Sequence, residues 1–572
     1  MVSLLLAGLM CLLPFLVPYH QPPIHGFYGE WLAAALGLSA IVAALSGRRF
    51  APVTLPVPAL WLLGFAALLI LRAAIIQPAY PQMTFWAVIY VVFAVALMWL
   101  GAQFASTVGR EQAGTVIAAF IVAGALVNAL AGIVQFYGRP GFLEDVVAVL
   151  RGHRAYGNIA QPNLFANYLA LGEAALLFLW VRGSLGTAAG GIAAALLAWA
   201  CALSGSRIAL VAPLWFIVVG FSLRARSRGG DSRRLLLGSC LLAAASLAFF
   251  VLVPVLNSAA GVGPPRNETL DRLLATSGDT RWQAWILALR LFAAAPVSGT
   301  GIGEFAGAAF ETGLPGAMAA QYQVWTSPHN LFFHLLAETG ALGAGLVLIA
   351  WGLWWWQSWR QASARWSPAA WWVLASVGVE FINSMLEYPL WSAHFLLLTA
   401  LLMGVGGVVS SSSPARTRQC RFIGVAIGVI LVAILAVTAR DYWRLDVTRV
   451  TGTPRTLAGT ASSDDAETLI SLGSGPLGPV ADLWRCLGVS LDREDLAAKL
   501  GLSGRVMRYW PSQAIVTRRA ILLAFAGRGS EAVRLVSGTA TAIGPAALTL
   551  LRQARETDPQ AIDPLLAAIG VQ

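Results

Sequence analysis

The sequence has little charge and little cysteine. Of its 572 residues only 11% are charged, whereas 58% are hydrophobic and the mean hydropathy is +0.71. Soluble globular domains carry about 25% charged residues, so this composition excludes that class and indicates an integral membrane protein. The five cysteines show no spacing typical of a metal site, and three of them lie within apolar runs. We therefore predict no intradomain disulfide and no cysteine metal site.

Acidic residues are scarce relative to basic ones, which gives a formal net charge of +11 and a pI near 9.9. The arginines fall mostly in short segments between apolar runs, where they orient a chain in the bilayer, so we expect contact with membrane lipids and none with nucleic acid. Basic residues occupy alternate loops: Arg48 with Arg49, Arg110, Arg182, residues 224–234, Arg360 with Arg365, and residues 416–421. These loops are predicted to face the cytoplasm and the remaining loops the periplasm of a bacterial inner membrane.

Thirteen apolar runs approach the length that crosses roughly 30 Å of hydrocarbon. They lie near residues 2–17, 31–46, 57–73, 84–104, 114–134, 163–181, 187–203, 208–223, 235–256, 340–358, 369–386, 391–410 and 422–439. The first run lacks a basic start and an A-x-A cleavage site, so we expect a retained helix there. The sequence thus predicts an all-α, polytopic transmembrane helical bundle of about 12 to 13 spans. The predicted domains are a transmembrane domain over residues 1–440, with a large periplasmic loop over 257–339, and a small periplasmic helical domain over 441–572.

The predicted periplasmic loop ends in the stretch TSPHNLFFHLLAETG, residues 326–340. Ser327 is predicted to cap a helix whose first residue is Pro328, which puts His329 in the first turn. The positive end of the helix dipole disfavours imidazolium there, so we expect a neutral ring that can accept a proton, as a general base must. An interfacial histidine at the headgroup level is the structural alternative, and physical reasoning alone slightly favours it. His334 is predicted to be a packed core histidine.

Three arginines lie in the segments predicted to face the periplasm. Arg154 precedes the sequence AYGNIAQPN, Arg207 lies between two apolar runs, and Arg281 belongs to the long loop. Guanidinium groups match phosphate oxygens bidentately, so such residues suit a ligand with an anionic head group. The alternative is general snorkelling to lipid phosphates. That alternative is weaker for Arg207, because positive charge is depleted from short external turns.

Four segments, taken in order, carry a resemblance to a known family. They are RAYGNIAQPNLFANYLALG, LSGSRIAL, TRWQAWILALRLFAAAPVSGTGIGEF and SPHNLFFHLLAETGALG. In this order they closely resemble the O-antigen ligase superfamily of bacterial inner-membrane glycan transferases, over residues 150–410. Within it, the GNIAQPN segment, the EYPLW loop at residues 387–391 and the helical tail are most similar to the protein O-oligosaccharyltransferases that glycosylate pilins and other periplasmic proteins.

The resemblance implies an enzyme that transfers a glycan from undecaprenyl diphosphate to a serine or threonine hydroxyl of a pilin or other periplasmic protein, without a metal or cofactor. His329 matches the essential histidine of the family. The arginines assigned to the donor diphosphate match Arg207 and Arg281, and the substrate-orienting glutamine and tyrosine match Gln161 and Tyr388. For Arg154 and Asn163 the match is looser, and we expect them to line the site.

The tail beyond residue 441 is more polar, and residues 511–538 predict an antiparallel helix pair. Pro511 would begin the first helix and the sequence GRG would form the turn, in the manner of a tetratricopeptide repeat. One pair alone cannot establish an array, because such units bury their faces against neighbours. A small helical cap and a docking surface for an acceptor protein are both compatible with this sequence.

Other functions remain open at this stage. An O-antigen ligase whose acceptor is lipid A core, or an O-antigen polymerase, would share the same transmembrane site. A lipid-linked glycan flippase is the non-enzymatic alternative. The long external loop, the absence of evident internal repeats and the clustering of charge on one face count against it, although Glu380 lies inside an apolar run.

Overall fold

The computed structural model describes residues 1–47, 54–139, 141–224, 229–262, 280–408, 414–451, 463–540 and 543–571. The described part is helical and contains no β-strand, which confirms the predicted all-α class. The helices of the first 408 residues are α1 (Val2–Met10), α2 (Phe27–Leu45), α3 (Val57–Ile75), α4 (Pro81–Phe104), α5 (Arg110–Tyr137), α6 (Pro162–Val181), α7 (Thr187–Ser204), α8 (Ile208–Arg224), α9 (Gly230–Ala259), α10 (Arg281–Ala294), α11 (Phe305–Thr312), α12 (Gly316–Ala320), α13 (Leu331–Ala364), α14 (Pro368–Ser384) and α15 (Ala393–Gly406). They are followed by α16 (Pro414–Thr451), α17 (Ser463–Gly473), α18 (Gly478–Gly488), α19 (Leu496–Tyr509), α20 (Gln513–Phe525), α21 (Gly529–Ser537), α22 (Pro545–Thr557) and α23 (Pro559–Ala568).

The described residues contain eight helical stretches that are long and apolar enough to cross a membrane. One of these, Pro81–Tyr137, comprises both α4 and α5, and three shorter apolar helices accompany the eight. Each of the thirteen apolar runs overlaps a helix. The protein is thus a polytopic helical membrane protein, as predicted, and the number of spans stays a prediction.

The chain divides into two compact units. The first unit comprises Met1–Leu63, Tyr90–Gly278 and Val347–Leu435, and the second comprises Gly64–Ile89, Asp279–Leu346 and Ala436–Gln572. Of the predicted periplasmic loop over 257–339, residues 263–279 lie outside the described part. The predicted domain boundary after residue 440 falls inside α16, and the division into domains at that residue stays a prediction.

The core of the first unit is built around α6, which is apolar on all faces and almost completely buried. A helix of that kind is expected at the centre of a bundle, and α6 packs against α5, α7, α8 and α14. Aromatic side chains fill the space: Phe15 stacks on Tyr168 with ring centroids 3.9 Å apart, and Phe178 stacks on Trp372 at 5.2 Å. This packing fixes the position of the N-terminal end of α6, where predicted site residues lie.

Two loops that their basic residues predict to lie on one face meet at one end of the first unit. After the C-terminal end of α6, Arg182 Nε lies 3.4 Å from Glu111 Oε2. The neighbouring Arg110 donates to the side-chain oxygen of Gln361 at 2.9 Å. Loops predicted to share one face therefore meet at one end of the bundle, and the N-terminal end of α6 lies at the other. The assignment of these ends to cytoplasm and periplasm stays a prediction.

In the second unit a glycine-rich turn packs backbone to backbone against α13. The turn follows α10, and Gly301 N–H donates to the Glu338 carbonyl at 3.0 Å. A Cβ on Gly299 would come 2.3 Å from the Glu338 carbonyl carbon, and one on Gly340, which has φ +65° at a kink within α13, would come 2.3 Å from Val297 O. No side chain fits at either glycine, so the turn requires both.

In the tail, each helix from α17 to α20 packs on the helix that follows it, and α22 packs on α23. The predicted pair is therefore present, and it has the neighbours that a repeat unit needs in order to bury its faces. Its first helix begins at Gln513 and not at Pro511, because Ser512 has the extended backbone of a cap residue. Leu523, Val536, Leu551 and other apolar side chains from α20 to α23 share one buried core.

The tail and the segment 279–346 belong to the same unit. Glu304, just before α11, receives a hydrogen bond from Arg508 of α19. Tyr322 Oη donates to the Pro511 carbonyl at 2.7 Å. In the loop before α4, Tyr80 Oη donates to Asp482 of α18 at 3.1 Å. The tail is thus part of the structure that supports the His329 segment.

Candidate active site

Gln161 begins the part of the site that lies in the first unit. It is the cap residue of α6, with Pro162 at the first helical position, and its side-chain oxygen accepts from Leu164 N–H at 2.5 Å. Proline loses no hydrogen bond there, which explains why the Q-P-N sequence starts a helix. The amide nitrogen of Gln161 points to Glu387 Oε2 at 3.5 Å. Gln161 therefore caps α6 with its side-chain oxygen and directs its amide nitrogen at Glu387.

Glu387 is the centre of this cluster. It is 2% exposed, and its Oε1 accepts a hydrogen bond from Asn163 Nδ2 at 2.6 Å. Asn163 Oδ1 in turn accepts from an Nη of Arg154 at 2.8 Å, and Arg154 Nε donates to the Ser204 carbonyl at 2.6 Å. A buried carboxylate needs such donors, because an unpaired charge in a low-dielectric setting is costly. Glu387, Asn163, Arg154 and Gln161 form what we call the Glu387 cluster.

Arg207 and Tyr388 adjoin the Glu387 cluster along the chain. Arg207 is exposed and lies three residues after Ser204, in the turn between α7 and α8 that Arg154 binds. Tyr388 directly follows Glu387. Burial raises the pKa of the Tyr388 hydroxyl and the neighbouring Glu387 carboxylate raises it further, so Tyr388 keeps its proton at neutral pH and can donate a hydrogen bond.

His329 lies in the second unit, in a turn that differs from the predicted one. The helix begins at Leu331, and Asn330 caps it, since its side-chain oxygen accepts from Phe333 N–H at 3.1 Å. Ser327 instead accepts from the backbone N–H of His329 at 3.2 Å. The predictions that Ser327 caps the helix, that Pro328 begins it and that His329 occupies its first turn are wrong. Asparagine is a strong cap, and its use moves the start of the helix by three residues.

The backbone of His329 has φ +53°, in the left-handed region that non-glycine residues rarely adopt. The residue precedes the Asn330 cap and therefore lies outside the helix in whose first turn it was expected. The ring packs edge to face against Trp325, with centroids 4.7 Å apart. Strained backbone of this kind persists only where its surroundings hold it, and such sites are often functional.

Helix α10 supports this turn and carries Arg281 at its first position. Four residues later, Trp285 Nε1 donates to the Pro328 carbonyl at 3.0 Å, next to His329. Residues four apart share a helix face, so Arg281 is placed on the side of α10 that meets the histidine turn. Before the helix, Thr280 Oγ1 donates to Gln323 Oε1 at 3.1 Å.

His334 is a core residue, as predicted. It is 2% exposed, and its Nε2 lies 3.3 Å from Glu338 Oε1. The same carboxylate oxygen accepts from the backbone N–H groups of Gly303 and Phe305, at 2.9 and 3.2 Å. Glu338 thus joins α13 to the glycine-rich turn. In the first unit Glu380 is completely buried and accepts from Asn167 Nδ2 at 2.7 Å.

The predicted site residues therefore fall into two groups. The first unit holds Arg154, Gln161, Asn163, Arg207 and Tyr388, and the second holds Arg281 and His329. In the first unit, Glu387 contacts Gln161 and Asn163 directly and Arg154 through Asn163. Sequence reasoning missed Glu387, Asn330 and Trp285. For Glu387 a signal existed, because an acidic residue is rare in this chain and this one precedes the predicted tyrosine. Within the described ranges, no group of three or more His, Cys, Asp or Glu residues is placed to hold a metal ion.

Comparison with known proteins agrees with the order of the motifs. The family described as O-Antigen ligase matches residues 192–348, and the family described as Protein glycosylation ligase matches residues 155–180. A third family, described as Virulence factor membrane-bound polymerase, C-terminal, matches residues 371–540.

Among curated proteins, a general O-oligosaccharyltransferase from Acinetobacter baylyi is 28% identical over 456 residues. The aligned region covers 77% of this chain and 75% of that protein. These matches confirm the resemblance seen in the four motifs: the sequence matches the O-antigen ligase family and is similar, over three quarters of its length, to a general O-oligosaccharyltransferase.

Proposed function

We propose that this protein is an O-oligosaccharyltransferase of the bacterial inner membrane. It moves a glycan from undecaprenyl diphosphate to serine or threonine hydroxyls of a pilin or other periplasmic protein. The observation that carries the proposal is the similarity to a general O-oligosaccharyltransferase across 456 residues, which include the predicted site motifs. The polar Glu387 cluster and the strained His329 turn supply the side chains that such a transfer uses.

In the proposed reaction, His329 takes the proton of the acceptor hydroxyl, and the hydroxyl oxygen forms a bond to the anomeric carbon. The bond from that carbon to the phosphate oxygen breaks, and its electron pair leaves with undecaprenyl diphosphate. Arg207 and Arg281 stabilise the charge that grows on the leaving group, because a cation placed where charge develops lowers the barrier. The active site faces the periplasm, and no metal takes part.

The Glu387 cluster orients the substrates in this proposal. Glu387 holds the amide groups of Asn163 and Gln161 and, through Asn163, the guanidinium group of Arg154. A site built from mutually bonded side chains keeps its geometry before substrate binds, which reduces the reorganisation needed during the reaction. Tyr388 adds a hydroxyl donor beside the carboxylate.

The second candidate is an O-antigen ligase or polymerase that acts on a sugar. The matches to the families described as O-Antigen ligase and as a membrane-bound polymerase favour it. For the ligase, lipid A core would be the acceptor. The tail favours a protein acceptor, because its packed helices offer a surface, periplasmic in this proposal, that a sugar at the membrane does not need.

Co-expression with a lipid-linked glycan pathway and a candidate pilin tests the proposal, with intact mass of the pilin as the readout. We expect a mass increase equal to the glycan with the wild-type enzyme and none with His329→Ala. An unchanged pilin mass, in cells where lipid-linked donor accumulates and the enzyme is inserted, would contradict the proposed function.

A further inference from the structure

A cavity of about 420 Å³, whose lining includes charged side chains, opens beside the Glu387 cluster within the first unit. Its walls come from the segment between α1 and α2, the segment after α5, and the residues that lead into α6. Ala160 and Pro162 line it, and these are the two neighbours of Gln161 in the chain. A volume of this order is within the range of about 300–1,000 Å³ that ligand sites occupy.

The cavity is held by a hydrogen-bond network and is not a gap between loose loops. Asn158 is 4% exposed, and its side-chain nitrogen donates to the Leu16 and Val146 carbonyls at 3.0 and 2.7 Å. A ring nitrogen of His20 is 2.7 Å from the Asn158 carbonyl oxygen. One asparagine thus joins all three segments, and Ala160, two residues later, has φ +62°. Strain of this kind next to a built cavity is typical of a binding site.

The charges in the cavity are balanced. Glu144 and Asp145 contribute two carboxylates, and Arg139 and Arg151 contribute two guanidinium groups. Arg139 is partly occupied, because one of its Nη atoms donates to the Glu144 and Val147 carbonyls at 2.9 and 2.6 Å. Because the two carboxylates offset the two guanidinium groups, the cavity offers a diphosphate no net attraction and does not suit the charged end of the donor.

The remaining groups match the chemistry of sugars. Carboxylates accept hydrogen bonds from hydroxyl groups, and the imidazole of His25 can donate or accept. Burial lowers the pKa of His25, and the charge of Arg151 and the ring of His20 lower it further, so this ring is neutral at pH 7. Tyr19 is 59% exposed and offers an aromatic face to the apolar side of a pyranose.

We propose that this cavity is a saccharide subsite for the uncharged glycan of the lipid-linked donor. It binds the sugars that follow the first one, whose anomeric carbon is the reacting atom. The inference rests on the proposed function, in which that donor is the substrate. Its place beside Gln161 puts the subsite next to residues proposed to orient the reacting sugar. Discrimination between donor glycans would then depend on residues of the cavity and not on His329, Arg207 or Arg281.

The test uses full-length protein in nanodiscs and two donors, one with a single sugar and one with an oligosaccharide. Asp145→Asn should raise the KM for the oligosaccharide donor about 10-fold, as expected for a lost charged hydrogen bond, and leave kcat and the single-sugar donor unchanged. Tyr19→Ala should act in the same direction. Asp231→Asn, an exposed carboxylate at the start of α9, is the matched control. Equal changes for both donors, or no change for either, would overturn the proposal.

A binding measurement separates this inference from the proposed function. Saturation-transfer NMR should detect the glycan released from the donor on the wild-type protein, and Asp145→Asn should reduce that signal. If this binding is present while no acceptor protein gains glycan mass, the proposed function fails and the subsite stands. Binding of free lipid A core oligosaccharide in preference to the donor glycan would overturn the assignment to the donor and favour the sugar-acceptor alternative.

Discussion

The Glu387 cluster and the His329 turn are held in place in different ways. In the cluster, side chains bond to one another around a carboxylate that is 2% exposed. At His329 the backbone determines the position, through φ +53°, the Asn330 cap and a hydrogen bond from Trp285 to the neighbouring carbonyl. A side-chain substitution in the cluster should therefore disturb several groups at once, whereas one at His329 should remove a single chemical group from an intact turn.

Replacing His329 should have the largest effect. His329→Ala should lower transfer about 10²- to 10⁴-fold, because the general base is lost while Asn330 and Trp285 keep the turn folded. Transfer to a pilin-like protein measured by intact mass, together with the unfolding temperature, checks both parts. His153→Ala is the control, since His153 is exposed and has no proposed role. Near wild-type transfer by His329→Ala would reduce the residue to an interfacial anchor.

The two arginines proposed to bind the donor diphosphate should rank next. Arg207→Ala and Arg281→Ala should each lower kcat about 10²-fold, because a cation that stabilises the leaving diphosphate is removed. Lysine at either position should restore activity only in part, since it lacks the bidentate fork. Steady-state kinetics with a fixed donor distinguishes these variants. Full activity of both alanine variants would remove the diphosphate clamp from the proposed mechanism.

Glu387→Gln should lower transfer about 10- to 100-fold, because the amide donors of Asn163 and Gln161 lose the charge they bind. The variant tests whether the cluster acts as one unit. A double-mutant cycle with Asn163→Ala should be clearly non-additive, as residues in one hydrogen-bond network are. Additive losses in kcat/KM would show that Glu387 and Asn163 act separately.

The smallest effect is expected at the cap of α13. Asn330→Ala should destabilise the protein by about 1 kcal/mol, and Asn330→Ser should recover most of the loss, since both asparagine and serine are good caps. The unfolding temperature of the detergent-solubilised protein measures the change. Asn330→Ala is also expected to lower transfer activity at a temperature at which the variant is still folded, because the cap sets the position of His329. An unaltered activity would mean that the turn does not depend on its cap.

The fold was predictable where a physical pattern covers many residues. Apolar runs, glycine-rich turns and basic loops each have a direct cause, so the helices near all thirteen runs and the shared end of Arg110 and Arg182 follow from them. The start of α13 was not predictable in the same way, because Ser327 and Asn330 are both competent caps and tertiary packing decides between them. Likewise, Glu387 becomes part of a cluster only when the loop after α14 meets the start of α6, and that contact has no local sequence signal.

A competition between two acceptors in one reaction tests the proposed function most directly. Purified full-length protein receives a defined lipid-linked donor, together with a folded pilin-like protein and lipid A core at equal concentration. We predict that intact-mass analysis finds the glycan on serine or threonine of the protein, and that the lipid A core is unchanged. Glycan on the lipid A core, with no gain in mass of the protein, would contradict the account and identify the enzyme as an O-antigen ligase.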